Sequence, residues 1–433
     1  MRRLVWNSEI SALAVAENLP RATQDLADVT RSVEKIIQDV RSRGLAALLE
    51  QAKEFDGVSD LAPAVSRSAI QAALRDLDSG LREAIEQAIR RVRLVSSNQL
   101  PRSIETSIAD GSEVTLRFQA IDSVGVYVPG GKAVYPSSVI MNVVPAQVAG
   151  VRRIALASPA QSKNQGLPDP TVLATAALLG IEEVYAIGGA GAIAAMALGV
   201  SEIGLEPVHM ITGPGNIFVA TAKRILSSRV AIDAEAGPTE ILIVADDSAN
   251  PTWIAADLIS QAEHDENAAA VLVTDSESLI FKVEAELSRQ VETTPNKERV
   301  MAALNGNQSA LVLAKSLDDA ARIADYYASE HLEIHTRSDE AVLEKISNAG
   351  AIFLGGYSPV SLGDYLAGSN HVLPTRGQAT RSAGLSVYSF LRPQHVVRFD
   401  RAGLAGVVDQ LEIFSNAEGL PGHGAAGRIR FES

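Results

Sequence analysis

The chain contains no cysteine. That absence removes disulfides, thiolate metal ligands and thiol nucleophiles together. Any transition metal must then be held by imidazole, carboxylate or amide groups. Aromatic residues fill only 4% of the 433 positions, too few for the stacking platforms that grip single-stranded nucleic acid. Basic residues are also scarce, 38 Lys and Arg against 52 Asp and Glu, for a net charge of −14. That balance argues against binding a phosphate backbone, so no nucleic-acid partner is expected. No apolar run approaches the roughly 18 residues of a membrane span, and no membrane contact is expected. The opening "MRRLVWNSEISALAVAENLPR" has two arginines but no continuous apolar core. It reads as mature sequence rather than a signal peptide, and a cytoplasmic protein is the expectation.

What is present is a globular composition, 46% hydrophobic and 21% charged. The length exceeds one ordinary core, so two or more domains are expected. Residues 31–99 read as helices. Val33, Ile36, Ile37 and Val40 recur at helical spacing before Gly44. Leu45, Leu48, Leu49, Ala52 and Phe55 repeat the pattern up to Gly57, and Leu81, Ile85, Ala88, Val92 and Val95 give a third stripe. From about residue 120 short apolar runs alternate with helical stretches at 169–179, 190–198 and 216–226. A second series of such runs begins with "TEILIVADD" near residue 239. The fold class is therefore α/β: two Rossmann-like parallel-sheet units, an N-terminal helical segment and an extended C-terminal tail. Residues 355–384 show no convincing element, and a loop that long is usually functional or disordered.

In open α/β sheets ligands bind outside the carboxyl ends of the strands. In the first unit those ends carry "YVPGG" (127–131), "GGAG" (188–191) and "GPGN" (213–216). Gly189, Gly191 and Ala194 spell G-x-G-x-x-A after a strand, a weak match alone. No acidic residue stands at the end of a following strand to hold a ribose. Together the three turns suggest a dinucleotide bound in a manner that departs from the standard fingerprint.

The stretch "LISQAEHDE" places Gln261 and His264 on one face at the end of a helix that Asn250 can cap and Pro251 can start. Amide oxygen and imidazole nitrogen could both bind a divalent metal. A solvated helix end explains the same residues. "ASEHLEIH" puts Glu330 beside His331, two bases with ordinary pKa values near 4.3 and 6.5. One could deprotonate an alcohol and the other activate water. A chance pair is the alternative. Asp364, Asn370 and His371 lie in the long loop, and Glu418 and His423 in the tail. His335 and His395 read as structural or exposed, and His209 as the start of a strand.

The segments "VGVYVPGG", "GPGN", "AGPTE", "DLISQAEHDE", "SEHLEIHT", "GDYLAGSNHVLPT" and "EGLPGH" follow one another along the chain. In that order they resemble the histidinol dehydrogenase family, over roughly residues 25–425. The resemblance implies oxidation of L-histidinol to L-histidine in two NAD-dependent steps through the aldehyde, the last stage of histidine biosynthesis. It also implies a zinc-dependent homodimer with intertwined subunits. Gln261, His264, Asp364 and His423 would hold the metal, with His423 and Glu418 coming from the partner's tail. Glu330 and His331 would be the catalytic bases. Thr239, His331 and Glu418 would touch substrate, with the ligands Gln261, His264, Asp364 and His423 close by. Tyr127, Gly191 and Asn216 would line the NAD site.

The resemblance further implies an arm over 1–24, an α/β domain made of 25–126 and 237–384, an NAD-binding unit over 127–236 and a tail over 385–433. Two positions depart from the family pattern: glycine at 191, where glutamine is common, and threonine at 239, where serine is common. The first puts one NAD contact in question; the second keeps the hydroxyl. Without cysteine no thiohemiacetal can form on the chain's own residues. Water must then attack the aldehyde, which calls for a second base. Two other readings stay open: a related dehydrogenase of another small amino or hydroxy alcohol, and a zinc hydrolase that leaves the glycine turns idle.

Overall fold

The computed structural model describes residues 1–22, 26–59, 61–130, 134–234 and 237–432. Gly131 of the first glycine turn and Ala236 of "AGPTE" lie outside them. Strand β1 (Arg2–Val5) opens the chain. A hairpin, β2 (Ile104–Ala109) and β3 (Ser112–Ala120), leads into the first parallel sheet. That sheet holds β4 (Ser123–Tyr127), β5 (Arg153–Ser158), β6 (Val184–Ala186), β7 (Met210–Thr212) and β8 (Ala231–Ile232), in the order β6-β5-β4-β7-β8. The second sheet takes β9 (Glu240–Ala245), β10 (Ala269–Thr274), β11 (Ala310–Leu313), β12 (His331–His335) and β13 (Ala351–Leu354). β1 joins its edge, giving β1-β11-β10-β9-β12-β13, all parallel. Finally β14 (Leu391–Phe399) pairs antiparallel with β3 to complete a third sheet.

The central strands are buried on both faces. Every residue of β4, β9 and β10 is buried, which is why each reads as a nearly continuous apolar run with polar residues only at its ends. Strand order reverses beside β4 in the first sheet and beside β9 in the second. These reversals are the crevices where open α/β sheets bind ligands.

The N-terminal helices wall the first sheet. Helix Leu26–Arg43 packs on helices Gly189–Leu198 and Ile217–Leu226, with Val33, Ile37 and Val40 in one core with Ile193 and Val219. Helix Ser79–Asn98 packs on Pro136–Ala149. Helix Pro251–Ala262 follows β9 and returns to that sheet's amino edge. Asn250 caps it, its side chain accepting from Thr252 N at 2.9 Å. Ile254, Leu258 and Ala262 face the sheet core.

Some elements escape the sequence reading. The segment 355–384 contains a short helix, Val360–Tyr365, and a 3₁₀ turn, Gln378–Thr380. Residues 401–417 form two helices, Arg401–Ala405 and Val408–Ala417, separated at Gly406 and Val407. A third tail helix spans Pro421–Arg428. Among the described residues no helix is long and apolar enough to cross a membrane.

Candidate active site

The carboxyl edge of the first sheet forms a cavity of about 400 Å³ at the reversal between β4 and β7. Tyr127, Gly191 and Asn216, the three expected cofactor residues, all line it. Tyr127 ends β4, and its hydroxyl oxygen accepts a hydrogen bond from Gly189 N at 3.1 Å. Burial pushes the phenol up to about 12. The phenol thus ties β4 to the start of helix Gly189–Leu198, whose first N–H groups lack helical partners and suit an anion. The "GPGN" turn is pinned from below. Gly213 N donates to Asp233 Oδ2 at 2.8 Å, Lys223 Nζ donates to Gly213 O at 3.0 Å, and Lys223 pairs with Asp233 in the interior. Gly213 has φ +117°, and a Cβ there would overlap the Tyr127 carbonyl. Asn216 Oδ1 accepts from Phe218 N and Val219 N, capping the next helix and leaving its amide nitrogen for a ligand.

Two lining residues were not anticipated. Gln51 closes helix Leu45–Gln51, and Asp56 closes the π-helical turn Ala52–Asp56 that continues it. Such turns often mark functional positions. Burial pushes the Asp56 carboxyl up to about 6. It is the acidic group that the strand ends lack, arriving instead from the N-terminal helices. Position 191 has no side chain, and the space beside it is filled by the Gln51 amide.

The second cluster sits at the opposite edge of the second sheet. Thr239 immediately precedes β9, which Glu240 starts, Glu330 immediately precedes β12, which His331 starts, and the two strands are neighbours, with His331 opposite Ile241. Gln261, in the last turn of helix Pro251–Ala262, is buried against them. Gln261 Nε2 donates to Thr239 Oγ1 at 2.5 Å, and Thr239 Oγ1 donates to Glu330 Oε2 at 2.5 Å. Glu240 N donates to the same carboxylate oxygen at 3.0 Å. Burial pushes the Glu330 carboxyl above the usual range; His331 and these hydrogen bonds oppose the shift. His331 Nδ1 lies 3.1 Å from Glu240 O. A carbonyl can only accept, so Nδ1 carries a proton, and in the neutral ring the lone pair is on Nε2.

The long loop supplies the next members. Asp364 lies in the last turn of helix Val360–Tyr365. His371 Nδ1 donates to Asp364 O at 3.2 Å, and Ser138 Oγ meets His371 Nε2 at 3.2 Å. Burial holds His371 below its ordinary pKa, in the neutral form; the charges of Asp364, His331 and His264 also act on it. His264, exposed just past the helix end, therefore shares an electrostatic neighbourhood with Asp364 and His331. His371 was noted in the sequence but given no role. Here it holds the backbone at Asp364, and through Ser138 it joins this cluster to the segment following Tyr127.

Gln261 thus touches Thr239 and through it Glu330, the charge of Asp364 acts on Glu330, and His264, Asp364 and His331 all act on His371. The N and O donors of Gln261, His264 and Asp364 suit zinc. Glu418 and His423 do not join them. Both are exposed on the tail, and among the described residues no hydrogen bond or ion pair links either side chain to the Glu330–His331 cluster.

A further group was not expected at all. Asp257, Glu333 and His335 are buried, with one donor atom from each within 4.8 Å of the others. His335, expected to be structural or exposed, is 4% exposed. Asp257 stands one helical turn before Gln261, and Glu333 and His335 alternate with His331 on one face of β12. Glu333 Oε1 accepts from Val360 N at 2.7 Å, at the start of the helix that carries Asp364. Its Oε2 lies 3.4 Å from His335 Nε2. Burial, then the charge of Glu333, pushes Asp257 up to about 7. Burial opposes protonation of His335, but Glu333 outweighs it and holds the imidazole above its ordinary pKa.

A family profile for histidinol dehydrogenase matches residues 19–431. A histidinol dehydrogenase of Leifsonia xyli subsp. xyli is 56% identical over 414 residues, 96% of this chain and 95% of the relative. One from Thermobifida fusca is 54% identical over 413 residues, 95% and 94% of the two chains. Among solved structures, a histidinol dehydrogenase from Elizabethkingia anophelis superposes with a TM-score of 0.94 at 32% identity, covering 100% of this chain and 98% of that one.

Proposed function

Because this chain belongs to the histidinol dehydrogenase family, an oxidoreductase family, we propose that it converts L-histidinol to L-histidine in two successive NAD-dependent oxidations through the aldehyde. One observation carries the reading: the buried run Gln261–Thr239–Glu330, with His331 beside it holding an open Nε2. It joins two bases of different character to a set of metal-type donors. Gln261, His264 and Asp364 would hold zinc, with His423 of the partner subunit as the fourth donor. Tyr127, Gly191 and Asn216 would line the NAD site, and Asp56 would accept from ribose hydroxyls. When bound, zinc supplies an anchor for the substrate's imidazole and amine, and NAD supplies the hydride acceptor.

The chain's own residues move the protons. His331 Nε2 takes the alcohol proton in the first oxidation, while the Glu240 carbonyl fixes the ring's tautomer. Glu330 then removes a proton from the water that attacks the aldehyde. Its raised pKa suits that work better than an ordinary carboxylate would. As water adds, His331 Nε2 returns its proton to the aldehyde oxygen, and so is free to take the hydrate's proton in the second oxidation. Thr239 bridges Gln261 and Glu330 through its hydroxyl, so threonine serves here as serine would.

We assign the protein to an intertwined homodimer. Ile413 and Phe414 on the tail are each 70% exposed, and Val397 on β14 is 65% exposed. Such apolar surface on a small appendage suits burial against a second copy. The test of the whole reading is NADH formed per L-histidinol, with and without a chelator. Two NADH per substrate, lost on chelation and restored by zinc, is the expected result. One NADH, or none in the zinc-loaded protein, would overturn it.

A further inference from the structure

We propose that Gln51 is a cofactor-contacting residue of the NAD cavity, and that the glycine at 191 exists to admit its amide. The inference rests on the NAD reading above and deepens it. Gln51 and Gly191 face each other across the cavity wall, although 140 positions separate them. A Cβ built at 191 would overlap the Gln51 amide oxygen, with the carbonyl carbon 3.2 Å away. Gly191 does not need glycine for its backbone. It lies inside helix Gly189–Leu198 and has no positive φ, unlike Gly189 at +59°. Space is therefore what the missing side chain provides, and Gln51 takes it.

The amide placed there is incomplete. Among the described residues, Gln51 Nε2 is buried without a hydrogen-bond partner. An unpaired buried donor is costly, and a ligand oxygen that completes it gains affinity. The last torsion of a glutamine is broad, so the NH2 group can turn into the cavity at little cost. Its neighbours there are the open N–H groups at the start of helix Gly189–Leu198 and the Tyr127 hydroxyl that accepts from Gly189. Those groups favour an anion, so the matching ligand group is a phosphate oxygen of the dinucleotide. The same helix-to-turn segment contributes Asp56, which places a carboxylate one turn beyond the amide. Residues 51–56 thus form a strap with a donor for the diphosphate and an acceptor for a ribose.

The test is NAD affinity, measured by calorimetry on the full-length zinc-loaded protein. Gln51→Ala should raise the Kd about tenfold, the loss of one hydrogen bond to a charged oxygen. The double variant Gln51→Ala with Gly191→Gln should recover to within about threefold of wild type, because the new side chain starts where the old amide ended. Gln51→Met keeps the bulk without the amide and should behave as Gln51→Ala does. It also serves if the alanine variant folds poorly. Wild-type affinity in both Gln51 variants would overturn the proposal. So would a loss that Gly191→Gln fails to repair, since the amide would then not be the missing group. Failure of the NAD reading itself is distinct: the wild-type protein would bind no NAD.

Discussion

Replacing Glu330 with glutamine separates the two oxidations if the bases divide the work as described. The substitution is nearly isosteric. Glu330 Oε2 accepts from Thr239 Oγ1 and Glu240 N, and a glutamine carbonyl can accept both. The carboxyl is buried and already biased toward its neutral form, so removing the charge leaves the fold in place. What disappears is a proton acceptor. General bases contribute roughly 10²–10⁴ in rate, or about 3–5 kcal/mol of barrier. That loss should fall on the aldehyde step, where water must be activated, and spare the alcohol step, where His331 Nε2 acts. Stopped-flow single turnovers starting from L-histidinol would show one NADH formed at close to the wild-type rate. The second would lag by the factor given. Starting from the aldehyde, the whole signal would be slow. Equal slowing of both steps, from either starting point, would refute the division of labour.

Other outcomes follow from the same geometry. Glu330 is pushed up by burial, so it holds its proton to higher pH than an ordinary glutamate and ionises only above that range. Aldehyde oxidation should therefore fall as pH drops, with its acid limb above the usual value near 4.3; a pH–rate profile whose limb lies at or below that value would count against it. Glu333→Ala removes the acceptor for Val360 N at the start of the Asp364 helix. Zinc affinity, read by chelator competition, should weaken roughly 10–100-fold, as for other groups that orient metal ligands. Unchanged affinity would show that Asp364 needs no such anchor. Mixing the inactive variants His331→Ala and His423→Ala under subunit exchange should restore activity to about a quarter of wild type, since half of random dimers carry one intact site. No recovery would mean that sites are not shared between subunits.

Much of this architecture could be read before any coordinates. The central strands announce themselves because burial on both faces leaves no polar alternation, as in "EILIVA" and "AAVLVT". Gly44 and Gly57 end helices where the periodicity breaks, both at positive φ. The hairpin of β2 and β3 and the strand β14 were missed for the opposite reason. β2 is exposed along its whole length, and most of β14 is exposed, so neither carries a hydrophobic signature. Helix Val360–Tyr365 buries only Val360 and Gly363, too little for a helical stripe. The site shows the same split. Glu330, His331, Gln261 and His264 stand out as polar clusters at element ends. Gln51 and Asp56 looked like the tail of a core helix, because the cavity they line exists only after that helix packs across Gly188–Gly191. The carboxyl-end rule points to the cavity of the first sheet that Tyr127, Gly191 and Asn216 line, but says nothing of the Glu330–His331 cluster, which gathers at the amino ends of β9 and β12. A helix that returns from the far edge carries Gln261 there, and spacing alone does not reveal that meeting. The Asp257–Glu333–His335 group was equally hidden, since its members were spread among residues with ordinary structural explanations.

The metal's position decides whether Gln261, His264, Asp364 and the partner's His423 form one site. A zinc-edge anomalous difference map of the zinc-loaded dimer decides it directly. The expected map has one peak per active site, within about 2.0–2.3 Å of donor atoms from Gln261, His264, Asp364 and His423 of the partner subunit. A peak among Asp257, Glu333 and His335 instead, with those four donors empty, would contradict it.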